Sequence, residues 1–298
     1  MRFGIIGRGS MSKRRQRCLE TLGYDEYFTW DIMDDSKCGD VVTMLKPDAL
    51  LVCSPPLTKQ IYIDLANALT IPVFCEADVT EYTGTYYSSS TMRFHPAVQK
   101  IKELIDNGTL GKIYTFTHHC GMHLRDWRLA GFDFKSYYAA ELGTKEMFCF
   151  ELSWLSYLFG SPTDCTGFID KKLDDLDISA DDVYSASVKF AEVIGTVLID
   201  ILSRPAIRKL RIVGEKCNLL WNWNDDYVKL EHPSGAILPI SYSKGTAAEG
   251  YNSNICEEMY RSELANWIAA IQGKEQYLFN REDEMAVMEM LRKVEEHE

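Results

Sequence analysis

The stretch "RFGIIGRGSMSKRRQRCL", Arg2 to Leu19, sets an apolar run directly against two glycines and then a basic helical pattern. Arg2 to Ile6 reads as a buried strand, Gly7 and Gly9 as a tight turn, and Ser12 to Leu22 as a helix. In such a unit the glycines let the backbone approach a pyrophosphate, whose charge is favoured at the helix N-terminus. Gly7, Gly9, Ser10 and Met11 are therefore candidate phosphate contacts. The third small position is Ser12 rather than glycine. The basic run Lys13, Arg14, Arg15 and Arg17 reads as a solvated helix face. Asp31 ends the next β-rich run about twenty residues on, where an acid binds the hydroxyls of an adenosine ribose. An acid there favours NAD over NADP by repelling a 2'-phosphate; alternatively, Asp31 caps the loop "DIMDD".

Farther along, "ALLVCS" (Ala49 to Ser54) and "PVFCE" (Pro72 to Glu76) are apolar runs separated by the helical pattern Thr58 to Leu69. This alternation implies βαβ units and a parallel sheet. "HPAVQKIKELIDNG" reads as a helix with Pro96 in its first turn and Gly108 at its stop. After about residue 110 the pattern changes. "KIYTFTHH" is a strand, Ala140 to Phe159 an amphipathic helix, and Asp164 to Ile240 a series of seven strand candidates from "DCTGFI" to "AILPI". Met259 to Ile271 and Glu284 to Val294 mark two late helices. The expected architecture is α/β, with a dinucleotide-binding domain over 1–110 and an α+β domain over 111–298 whose large, open sheet is mostly antiparallel.

Composition narrows the partners. The chain has 298 residues with 44 acidic against 32 basic, a formal charge of -12. That balance repels phosphate backbones and disfavours nucleic acid or anionic membrane as the main partner, leaving a small-molecule substrate. No apolar run reaches the roughly 18 residues of a membrane span, and the start lacks the charged and apolar regions of a signal peptide. Nine cysteines without CxxC spacing read as buried thiols in a reducing cytoplasm. No metal site is expected.

The segment "DALLVCSPPLTKQIYIDLANALTIPVFCEAD", followed in order by "MRFHPAVQKIKELIDNGTLGKI", "LRDW", "YLFG" and "MYRSELANWIAAIQG", resembles the glucose-fructose oxidoreductase/inositol dehydrogenase (Gfo/Idh/MocA) family over nearly the whole chain. The resemblance implies a Rossmann domain, a bound nicotinamide cofactor, and sugars, polyols or nucleotide sugars as substrates. It also implies a homo-oligomer assembled through the C-terminal sheet. Ser54 and Pro55 would border the nicotinamide, and Glu76 matches the glutamate of the family's Glu-Lys-Pro motif.

The pattern also departs from the family. Ala77 and Asp78 stand at the lysine and proline positions, and alanine neither donates nor accepts a proton. The family's Asp and His on a later helix have no equivalent, since neither count through "ELGTKEMFCFELSWLSYLFG" supplies a histidine. The helix usual between "CEAD" and "MRFHP" is missing from "VTEYTGTYYSSST". A positioned acid-base group contributes about 10²- to 10⁴-fold, so replacements matter. Glu151, Glu146, His119 and Asp78 are the candidates, with Glu151 favoured because a carboxylate among apolar neighbours needs a partner or a task. His118 and His119, adjacent on one strand, point to opposite faces and cannot share a metal ion. His123, Arg125, Asp126, Trp127, Tyr137 and Tyr138 are candidate sugar contacts. The expected activity is NAD(P)-dependent hydride transfer at a carbinol carbon. The alternatives are a catalytically reduced nucleotide-binding partner or regulator, and a redox-neutral epimerase or lyase that recycles its NAD with Glu151 as base.

Overall fold

The structure is a computed structural model that describes residues 1–34, 37–126, 142–174, 178–249 and 254–296. In chain order its first elements are β1 (Phe3–Ile6), α1 (Ser10–Thr21), β2 (Tyr27–Trp30), α2 (Cys38–Leu45), β3 (Ala49–Val52), α3 (Pro56–Ala68), β4 (Val73–Cys75), β5 (Tyr87–Ser88) and α4 (Pro96–Asp106). There follow β6 (Ile113–Gly121), α5 (Gly143–Phe159), β7 (Pro162–Asp170), β8 (Val183–Phe190), β9 (Val193–Asp200), β10 (Ile207–Gly214), β11 (Asn218–Asn222), β12 (Tyr227–Glu231), β13 (Ile237–Ser241), α6 (Glu257–Ile271) and α7 (Arg281–Glu296).

Two compact units result, one of Met1–Phe94 with Glu257–Arg281, the other of His95–Cys256 with Glu282–Glu298. This differs from a simple division at residue 110 because α6 returns to the first unit. Its Trp267 is fully buried and lies 6.3 Å from Phe3 and 5.3 Å from Phe74 by ring centroid. Burying a large apolar side chain contributes about 1.5–3 kcal/mol, more than sequence order can counter.

The first unit carries a five-stranded parallel sheet in the order β2-β1-β3-β4-β5. Strands β1, β3 and β4 are buried along their length, as a parallel sheet covered on both faces requires. One face packs Leu50 and Val52 against Val42, Tyr62 and Ile63 of α2 and α3; α1 and α6 lie against each other. Helix α2 has no counterpart in the sequence reading. It is short, lacks a side-chain N-cap, and carries Val41, Val42 and Thr43, which favour strand locally. The absence of an α-helix between Cys75 and Pro96 agrees with expectation.

The second unit carries an eight-stranded sheet in the order β13-β12-β11-β10-β6-β9-β8-β7, antiparallel except for the β6/β9 pair. Helix α5 covers one face. Phe116 stacks on Phe159 at 4.5 Å, an approach made possible by Gly195, where a Cβ would meet the Phe116 ring at 2.2 Å. On the other face, side chains such as Phe168 and Ile194 are exposed. No helix among the described residues is long and apolar enough to cross a membrane.

Candidate functional site

In a sheet of order 2-1-3-4-5 the connections reverse between β1 and β3, so a crevice opens at their carboxyl ends, where ligands of this architecture bind. Gly7 sits there with φ of +103°, and a Cβ on it would meet the Cys53 carbonyl oxygen at 2.9 Å. A side chain is excluded both sterically and conformationally. Gly9 is the N-cap of α1, with no side chain hydrogen-bonded to the helix end and no acid in the first turn, and a Cβ there would meet nothing within 4 Å. The α1 amides, including those of Ser10 and Met11, therefore border open space able to take an anion. These donors and this clearance fit a dinucleotide pyrophosphate.

Beside this turn lies a cavity of about 470 Å³ lined by Trp30, Ile32, Asp34, Lys37, Cys38, Ile61 and Tyr62, among others. Its aromatic and aliphatic walls suit a planar base. None of these residues was singled out from sequence; the available signal was the apolar side chain following Asp31. Asp31 itself is half-buried after β2. Its Oδ1 accepts the Met33 amide at 3.2 Å, so it does cap its loop, while its own amide donates to Asp34 at 2.9 Å.

Near the β4 end, two basic groups read from sequence as part of a solvated face are tied down. Arg15 is fully buried and forks onto Glu76 at 2.6 and 3.1 Å, while also donating to Glu263 at 2.7 Å. Arg14 is likewise buried and pairs with Glu257 at 2.8 Å. The expected solvated basic face is thus corrected at Arg14 and Arg15, because facing carboxylates on β4 and α6 compensate their desolvation. Glu263 also accepts from Ser89, the Ser90 amide and Tyr277, yet burial pushes its carboxyl above the usual range. Glu76 keeps partial exposure at 15% of its side chain, fixed at the strand end by Arg15.

Asp78 is not a free acid-base group. Its Oδ2 receives the Lys59 ammonium at 2.5 Å and the Tyr82 hydroxyl at 2.8 Å, and its Oδ1 accepts the Thr80 amide at 2.7 Å. Lys59 also donates to the Glu76 carbonyl at 2.5 Å. An ammonium therefore stands behind Ala77, reaching in from α3 and only 2% exposed. Ser54 lies just beyond β3 and accepts the Thr58 hydroxyl at 3.0 Å, with Pro55 as the N-cap residue of α3.

In the second unit, Glu151 is fully buried on α5 and receives His118 Nε2 at 2.8 Å, Trp154 Nε1 at 2.8 Å and Arg208 at 2.6 Å. Burial works to raise its pKa, but Arg208 and these donors outweigh that and hold it at about 2. The favoured base is thereby corrected to a sealed counter-ion that ties α5 to β6 and β10. A carboxylate so stabilised is a poor proton acceptor near neutral pH. Glu146 is half-buried in the first turn of α5.

His118 and His119 face opposite sides of the sheet as expected. His119 is 31% exposed with Nε2 at 2.7 Å from Asp200. Asp200 is buried, which works to raise its pKa, but donation from His119, Leu202 and Ser203 lowers it overall. The result is an accessible imidazole oriented by an acid. His123 is buried and accepts the Arg125 amide at 3.3 Å. Asp126 forks with Arg204 at 2.6 and 2.9 Å on the surface, rather than pairing with the adjacent Arg125. Trp127, Tyr137 and Tyr138 lie outside the described residues.

Residues 98–220 match the family described as GFO/IDH/MocA C-terminal domain. No curated protein matches the chain in sequence. In fold it is similar to an oxidoreductase from Agrobacterium radiobacter in complex with NAD+, L-tartaric acid and magnesium, at 11% identity and TM-score 0.79, covering 100% of this chain and 96% of that one. An NAD binding oxidoreductase from Klebsiella pneumoniae aligns at 14% identity and TM-score 0.79 over 100% and 96%. UDP-N-acetylglucosamine 3-dehydrogenase from Acidithiobacillus ferrooxidans aligns at 12% identity and TM-score 0.76 over 100% and 97%.

Proposed function

We propose that this chain, whose residues 98–220 match the family described as GFO/IDH/MocA C-terminal domain, is a nicotinamide-dependent oxidoreductase acting on a sugar or nucleotide sugar at a carbinol carbon. The observation that carries this reading is the side-chain-free Gly7 turn at the β1/β3 crevice, beside the clear N-terminus of α1. Gly7, Gly9, Ser10 and Met11 hold the pyrophosphate, Asp31 the adenosine ribose, and Ser54, Pro55 and Glu76 the nicotinamide end. The named activity of the similarly folded UDP-N-acetylglucosamine 3-dehydrogenase supports the substrate class.

The dinucleotide, when bound, supplies the hydride acceptor. The chain must then receive the hydroxyl proton without a lysine at Ala77. With Asp78 and Glu151 held in closed networks, Glu146 and His119 are the assigned candidates. His119, 31% exposed and oriented by Asp200, is the better defined of the two in geometry. The sugar contacts are assigned to His123, Arg125, Asp126, Trp127, Tyr137 and Tyr138. A second copy covering the open sheet face, with exposed Phe168 and Ile194, makes the protein a homo-oligomer.

Fluorescence titration with NADH tests the cofactor. Saturable binding is expected, and no binding of NADH or NADPH at millimolar levels overturns the reading. A panel of nucleotide sugars, followed at the reduced-nicotinamide absorbance and by product analysis, tests the reaction. The missing lysine and the sealed carboxylates favour one second reading, a catalytically reduced nucleotide-binding protein. It predicts NADH binding with no substrate consumed and no product formed. Redox-neutral turnover would instead form product without net absorbance change.

A further inference from the structure

The middle residue of the glycine turn, Arg8, is bound to the loop that follows β2. Its guanidinium forks onto Asp34, with Nη1 at 2.7 Å from Oδ1 and Nη2 at 2.9 Å from Oδ2, and that carboxylate also accepts the Asp31 amide at 2.9 Å. Asp34 lines the cavity beside the turn, as does Lys37. One carboxylate thus neutralises the cation of the phosphate turn and shapes the backbone of the expected ribose-binding acid.

We infer that Asp34, through its hold on Arg8, is the specificity-determining residue that selects a 2'-hydroxyl over a 2'-phosphate on the adenosine ribose. This rests on the nicotinamide-dinucleotide reading. A phosphate monoester carries roughly -1.5 to -2 charge at neutral pH. Placed near Asp31 and Asp34, it meets two carboxylates against the Lys37 ammonium of the cavity wall, while the turn's guanidinium is already occupied. A hydroxyl pair is indifferent to that balance and finds an acceptor in Asp31. The Arg8 side chain is 52% exposed and that of Asp34 23%. An ion pair so placed adds little to stability, so it can be exchanged without disturbing the fold. Once Asp34 is neutral, Arg8 offers the planar fork that suits phosphate oxygens.

The test is the ratio of NADPH to NADH dissociation constants, read by fluorescence titration and requiring no turnover. Asp34→Asn is expected to lower that ratio at least tenfold, mainly by tightening NADPH, and Arg8→Gln in the same background is expected to restore it. Asp31→Asn alone should change the ratio less, because Asp34 still occupies Arg8. Near-UV circular dichroism checks that each variant is folded. An unchanged ratio in a folded Asp34→Asn protein overturns the inference while leaving the cofactor reading intact. Failure of wild-type protein and every variant to bind either dinucleotide overturns both.

Discussion

Lys59, Ala77 and Asp78 show how one position is rebuilt. Ala77 has no proton-handling side chain, while Lys59 brings an ammonium to the same strand end and donates it to Asp78 and the Glu76 carbonyl. With the side chains of Lys59 and Asp78 both 2% exposed, the pair fixes the turn. Lys59→Met should leave a buried carboxylate without its cation and destabilise the protein by about 3–5 kcal/mol, measured by urea unfolding. Under the oxidoreductase reading, Ala77→Lys should raise turnover by about tenfold or more on any accepted substrate, since it returns a positioned proton carrier. Unchanged turnover in a folded variant would show that another group already fills the role.

Glu151 illustrates a different outcome for a carboxylate in an apolar stretch. Its folded pKa of about 2 lies below the ordinary 4.5, so its contribution is fully present above pH 4.5 and lost as pH falls through about 2. Roughly 3 kcal/mol of stability is linked to that window. Glu151→Gln should cost about 3–5 kcal/mol near pH 7, because the buried Arg208 loses its counter-ion. The gap from wild type should then narrow as pH drops from 4.5 toward 2 in urea unfolding series. A catalytic role alone would leave stability unmoved.

Helix α4 begins at Pro96, and its N-cap is His95, whose Nδ1 accepts the Ala97 amide at 3.1 Å. Only the imidazole with an unprotonated Nδ1 can do this. Burial, helped by nearby Arg208, lowers the His95 pKa to about 4. A depressed folded pKa means that the contribution is complete above about 6.5 and lost as pH falls through about 4. His95→Asn keeps a capping acceptor and should remove that pH dependence, whereas His95→Ala should cost about 1 kcal/mol or more at neutral pH. The sequence made Pro96 and the end near Gly108 legible because helix entry and exit are local geometry. A histidine cap was less legible, since histidine is not among the usual capping residues.

The two units bring together chain segments that sequence order separates. Trp267 and Glu263 on α6 complete the core and the Arg15 cluster of a unit that otherwise ends at Phe94. In the second unit the sheet has a face on which Phe168 and Ile194 are exposed. If copies pair there, Phe168→Glu with Ile194→Lys should shift the light-scattering mass toward that of one chain while preserving near-UV circular dichroism. NADH at a hundredfold excess over its dissociation constant should raise unfolding free energy by about 2.7 kcal/mol, provided the unfolded chain does not bind it.

The parallel sheet, the glycine turn, the large antiparallel sheet and the face alternation of His118 and His119 were all legible in residue order. Strand and helix periods, turn glycines and caps act over a few neighbouring residues. The fates of the charged side chains were not. Arg15 with Glu76 and Glu263, Lys59 with Asp78, and Glu151 with His118 and Arg208 are assembled across elements far apart in the chain. Whether a carboxylate is a base, a counter-ion or a turn anchor depends on its desolvation and on which cation reaches it, and those are fixed only when the elements pack.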